Sequence, residues 1–76
     1  MTTKTPAKRW RLVIHATCPA SITDYSSEQK AWAALNAYAA DKTTKVGAKV
    51  NVRHWENGEW ALYERAVITK NGWEPA

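Results

Sequence analysis

The chain has 76 residues, with 11 Lys and Arg against 7 Asp and Glu, a formal net charge of +4. At this length there is room for a single core, and such a domain buries about 60% of the surface its unfolded chain exposes. One cysteine excludes an internal disulfide framework and a cysteine-rich zinc site, while the basic balance raises nucleic acid as a partner.

The longest uninterrupted apolar run, Ala31 to Leu35, falls far short of the roughly 18–20 residues of a membrane span. Lys8, Arg9 and Arg11 ahead of Leu12-Val13-Ile14 have the outline of a signal peptide. His15 and Cys18-Pro19 close that stretch below the ~7 apolar residues of a secretory core. With Thr2 in second position, N-myristoylation is not expected. The expectation is a cytoplasmic protein with no membrane association.

Residues 1–8 hold nothing large to bury and are expected as a flexible basic tail, with residues 9–76 forming one domain. Arg9 to Thr17 alternates as a strand, with Trp10, Leu12, Ile14 and Ala16 on one face and Arg11, Val13 and His15 on the other. Pro19 ends it, since proline cannot donate to a ladder. A helix follows from Ser27 to about Asp41, rich in alanine and free of Gly and Pro. Ser26 is the expected N-cap, with Gln29 completing a capping box. Trp32, Leu35, Tyr38 and Ala39 form its apolar stripe.

Ala48 to Trp55 reads as a strand, and Asn57-Gly58 as a two-residue hairpin turn. Uninterrupted pairing then sets Trp55 opposite Trp60, Arg53 opposite Leu62, Val52 opposite Tyr63, Asn51 opposite Glu64 and Val50 opposite Arg65. A second Asn71-Gly72 turns the chain into a tail too short for a further strand. The expected fold class is α+β, a single β-α-β-β domain with one helix packed on a three-stranded sheet. The crossover preference suggests a first strand parallel to one hairpin strand.

Strict alternation puts Val50, Val52, Ala61, Tyr63 and Val67 on one hairpin face, with His54 and Arg65 toward its ends. This more aliphatic face is expected under the helix. The other carries Trp55, Trp60, Leu62, Ala66 and Ile68, with Lys49, Asn51, Arg53 and Glu64. A facing Trp pair beside Arg53 is a candidate contact surface. It is equally a hairpin staple, since such pairs add about 0.5–1.5 kcal/mol beyond burial and Arg53 can stack on Trp55. Trp10 and Trp73 are free to cap either face.

Catalytic chemistry is poorly supplied. His15, Cys18 and His54, with Asp24, are the only residues that suggest a nucleophile or metal site, and their spacing fits no metal motif. Asp24 reads as a loop residue ahead of the helix. The three glycines are isolated, so no phosphate-cradling loop exists. No enzyme activity, no cofactor and no metal site are expected. As for charge, Lys4, Lys8, Arg9 and Arg11 carry the whole excess, and residues 12–76 balance seven basic against seven acidic side chains. A body built to neutralise phosphates shows a positive stripe; by count this one is neutral.

The segments Tyr25-Ser-Ser-Glu-Gln-Lys-Ala-Trp32, Asn57-Gly-Glu-Trp-Ala-Leu-Tyr-Glu-Arg65 and Gly72-Trp-Glu-Pro75 resemble those of small, uncharacterised proteins of actinobacteria and their bacteriophages. The resemblance implies a protein that binds one host macromolecule, as host-takeover and defence-inhibiting proteins do, and transfers no functional residue. The first reading is therefore a small non-enzymatic protein-interaction module. Its contact residues would be Arg53, Trp55, Trp60 and Leu62, with homodimerisation through the sheet face or edge as a variant. The alternative is a nucleic-acid-binding module using Lys4, Lys8, Arg9, Arg11, Lys49 and Arg53 together with the aromatic face.

Overall fold

A computed structural model describes residues 7–16 and 18–76. Most of the expected basic tail, Lys4 included, and Thr17 lie outside the described residues. The elements are β1 (Trp10–Ile14), β2 (Ser21–Tyr25), α1 (Glu28–Ala40), β3 (Lys49–Glu56), β4 (Glu59–Thr69) and β5 (Gly72–Pro75). They build one sheet of order β2-β1-β3-β4-β5, every neighbouring pair antiparallel, with α1 against one side. The α+β class stands, but the sheet has five strands where three were expected.

Two of those strands escaped the sequence reading. Ile22, Thr23 and Tyr25 suit a pleated surface, and β2 returns along β1 from Trp10↔Tyr25 to Ile14↔Ser21. That return is why β1 stops at Ile14, short of the expected Ala16. It also puts β2, not β1, ahead of the helix. The crossover therefore joins β2 to β3, and β1 lies between them antiparallel to both, which overturns the expected parallel neighbour. The β5 strand pairs Thr69↔Gly72 through Ala66↔Pro75, so the turn residues are Lys70 and Asn71, one position earlier than the Asn-Gly reading.

Helix α1 is capped by Ser27, not Ser26. Ser27 holds the extended backbone a cap needs (φ −145°, ψ 157°), and its hydroxyl accepts from the Lys30 N–H at 3.2 Å. Ser26 only receives the Lys30 ammonium at 3.1 Å. The helix ends where the Asp41 N–H and the Thr44 hydroxyl both donate to the Tyr38 carbonyl, at 3.3 and 2.7 Å. The Asp41 carboxylate accepts from the Thr43 N–H and hydroxyl, and these hydrogen bonds hold its pKa below the ordinary value. Leu35, fully buried, meets Leu12, Val50, Val52, Ala66 and Ile68 in the core, with Trp32 and Tyr38 half-buried around it.

The β3–β4 hairpin carries the largest correction. Asn57 and Gly58 both have positive φ, 50° and 82°, as a two-residue primed turn requires. Pairing runs as expected from Glu56↔Glu59 through Trp55↔Trp60 and His54↔Ala61 to Arg53↔Leu62. There a β-bulge intervenes, and the next partners are Val52↔Glu64, Asn51↔Arg65, Val50↔Ala66 and Lys49↔Val67. Tyr63 is the extra residue. A one-residue slip exchanges the two faces of everything beyond it. Ala66 and Ile68, expected outside, are 1% and 2% exposed in the core. Arg65 and Val67, expected under the helix, project from the opposite side.

Candidate binding face

Among the described residues no element packs on the side of the sheet away from α1. The registers place on this open face Ile22 and Asp24 of β2, Arg11 and Val13 of β1, and Lys49, Asn51, Arg53 and Trp55 of β3. Trp60, Leu62, Arg65 and Val67 of β4 and Glu74 of β5 complete it. The Trp55 N–H donates to the Arg9 carbonyl at 2.9 Å, which carries the β1 ladder one residue further and gives Arg9 the same facing as Arg11.

The four residues expected as a contact surface are thus together. Trp55 and Trp60 meet edge to face with centroids 5.3 Å apart, Leu62 is 40% exposed, and Arg53 Nη1 donates to the Trp60 carbonyl at 3.4 Å. The expected stack of Arg53 on Trp55 is replaced by another. Arg11 reaches across β3 until its guanidinium carbon lies 4.0 Å over the Trp60 ring. Arg11 is held there by Asp24, its Nε donating to one carboxylate oxygen at 2.7 Å and its Nη2 to the other at 3.1 Å. That bidentate pair raises the Arg11 pKa further above its ordinary value.

The remaining tryptophans belong to the helix side. Trp10 contacts His54 at 4.3 Å and Tyr63 at 4.9 Å, while Trp32 stacks on Trp73 at 5.5 Å. Glu28 Oε1 accepts from both Trp32 Nε1 and the Tyr63 hydroxyl, at 3.1 and 3.0 Å, and the bond to Glu28 pushes the Tyr63 pKa upward. The bulge is what turns Tyr63 into this cluster. The suggested His15, Cys18, His54 and Asp24 site does not assemble. His54 sits on Trp10 under the helix, His15 meets Asn51 on the open side, and Asp24 is taken by Arg11.

Charge sorting is the feature that counting missed. All four arginines of the chain, Arg9, Arg11, Arg53 and Arg65, share the open face, joined by Lys49. Among the described residues only Asp24 and Glu74 oppose them there, and Asp24 is already paired. The other carboxylates, Glu28, Asp41, Glu56, Glu59 and Glu64, fall on the helix, its exit loop, the hairpin end and the bulge. A body neutral by count is therefore basic on one side. The alternation of Arg9 with Arg11 was legible beforehand, but Arg65 joins them only because of the bulge. Of the other residues expected for nucleic acid, Lys8 is exposed and precedes Arg9 at the Trp55 end.

The chain thus defines a small α+β protein with one helix on a five-stranded antiparallel sheet, its other sheet face open, aromatic and arginine-bearing. Compared with protein-family models, curated proteins and solved structures, it shows no match. No helix of the described residues is long and apolar enough to cross a membrane.

Proposed function

We propose that the protein is a non-enzymatic binding module that takes single-stranded nucleic acid on its open sheet face. The observation that carries this reading is the gathering of every arginine on the face that holds Trp55 and Trp60, where among the described residues Glu74 is the one carboxylate outside an ion pair. Arginine offers a planar fork that matches phosphate and a flat cation on which bases stack. Arg11 over Trp60 extends the indole into such a surface. The basic residues Lys8 and Arg9 enter beside Trp55 and continue the positive path. This order reverses the one suggested by sequence alone, where the neutral body favoured a protein partner.

The protein-interaction reading keeps an observation of its own. Leu62 and Ile22, 40% and 57% exposed, add apolar area among arginines and tryptophans, the composition of an interface hot spot. In that reading the partner presents a complementary acidic patch, and a phage-type role in host takeover would be exercised through it.

Fluorescence anisotropy with labelled oligo(dT), oligo(U) and duplex DNA tests the proposal. Single strands should bind at micromolar concentration or tighter near ~50 mM salt, with affinity falling steeply as salt rises. Arg53→Ala should weaken binding while leaving circular dichroism unchanged. Absence of binding near ~50 mM salt refutes the proposal and returns the face to a protein partner.

A further inference from the structure

We infer that the cleft at the end of the open face away from the Trp pair seats a phosphate group. The cleft encloses about 360 Å³ and is lined by His15, Lys49, Asn51, Arg65, Ala66 and Ala76. The pairings Asn51↔Arg65 and Lys49↔Val67 bring Lys49 and Arg65 to one face of neighbouring strands, two positions apart along the ladder. The wall is fixed by backbone. The His15 N–H donates to the Lys49 carbonyl at 2.8 Å, and the Ala76 N–H donates to the Arg65 carbonyl at 2.9 Å. The Asn51 amide nitrogen lies 3.1 Å from His15 Nε2, so imidazole and amide line the same wall.

Among the described residues neither Lys49 nor Arg65 forms an ion pair, in contrast to Arg11. The neighbouring Glu64 carboxylate accepts from the Arg65 backbone N–H at 3.1 Å. Two cations on one concave polar wall repel one another; among the described residues the register sets one carboxylate near them, Glu74 opposite Val67, and it pairs with neither. A tetrahedral oxyanion bonded to both cations removes that repulsion. A guanidinium can bond two of its oxygens at once, an ammonium a third. The chemistry selects a phosphate ester or free phosphate. Lys49 and Trp55 mark the two ends of β3 on this face, about 20 Å apart at strand spacing. One short single strand therefore reaches from a phosphate in the cleft to a base at the Trp pair. For the source of the phosphate this inference rests on the nucleic-acid reading; for the site itself it does not.

Amide NMR spectra of the full chain, titrated with inorganic phosphate against chloride at matched ionic strength, test it. Phosphate should saturably shift Lys49, Asn51 and Arg65 in the millimolar range. Lys49→Ala and Arg65→Ala, both at exposed positions, should each weaken phosphate binding about fivefold and lower the oligo(dT) salt slope by about 0.7. Trp60→Ala should leave the phosphate midpoint unchanged. Shifts reproduced by chloride, or unaltered in both variants, overturn the site. If phosphate seats but oligo(dT) does not bind, the nucleic-acid reading falls and the cleft stands as a site for a small phosphate ester. If oligo(dT) binds with an unchanged slope in both variants, the cleft proposal falls and that reading stands.

Discussion

Asp24→Asn should move stability and binding in opposite directions. The carboxylate holds Arg11 through two hydrogen bonds, with side chains 26% and 32% exposed. Pairs this open to solvent are worth about 0.2–1 kcal/mol, and bidentate geometry puts this one near the upper end. In a domain of this size about 1 kcal/mol lowers Tm by roughly 4–8 °C. Binding gains instead. A carboxylate ~9 Å from a phosphate repels it by about 0.5 kcal/mol in water, close to a twofold factor. Arg11, released, can engage a phosphate of its own, steepening the single-strand salt slope by about 0.7. The expected result is a lower Tm by circular dichroism with two- to fivefold tighter oligo(dT) binding near ~50 mM salt, an advantage that shrinks as salt rises. Affinity that falls together with Tm would mean that the pair orders the face for binding, and an unchanged salt slope would place Arg11 off the path of the strand. Either result refutes the reasoning.

Three further predictions concern the fold. Ser27→Ala should cost about 1 kcal/mol in chemical denaturation, and Ser26→Ala no more than ~0.5 kcal/mol, because only Ser27 satisfies a helix N–H; equal costs would contradict the cap assignment. Deleting Tyr63 should be tolerated, with a cooperative melt retained at a cost of about 1–3 kcal/mol, because it removes the extra residue while Val52↔Glu64 and Val50↔Ala66 keep their pairing. Inserting one residue after Glu64 should abolish the melt by turning Ala66 and Ile68 outward, and a harmless insertion would defeat the parity argument.

The helix was legible because its signals are local. Alanine content, the spacing of Trp32, Leu35 and Tyr38, and a serine at its start all act within a few residues. The Asn57-Gly58 turn was legible for the same reason, since two positive φ angles select those residue types. Ser26 and Ser27 differ only in which hydroxyl reaches a free N–H, which depends on the approach of the chain from β2. Strand β2 was missed because Asp24 looks like a loop residue until Arg11 is opposite it. Strand β5 was missed because four residues form a strand only where β4 already offers an edge.

Charge divides the same way. Length and the order of charges alone left room for a single core and determined a net +4 with its excess confined to the first eleven residues. Local patterning determined the helix, the hairpin turn and the meeting of Trp55 with Trp60. Which face each β4 residue occupies was decided only in three dimensions, because the bulge at Tyr63 leaves no mark in the alternation it interrupts. Pairing pays for that extra residue by burying Ala66 and Ile68 and by turning Tyr63 toward Trp10 and Glu28. The same reversal carries Arg65 to the side where Arg9, Arg11 and Arg53 already stand. A sum along the chain is blind to that sorting, since it weighs charges without their facing.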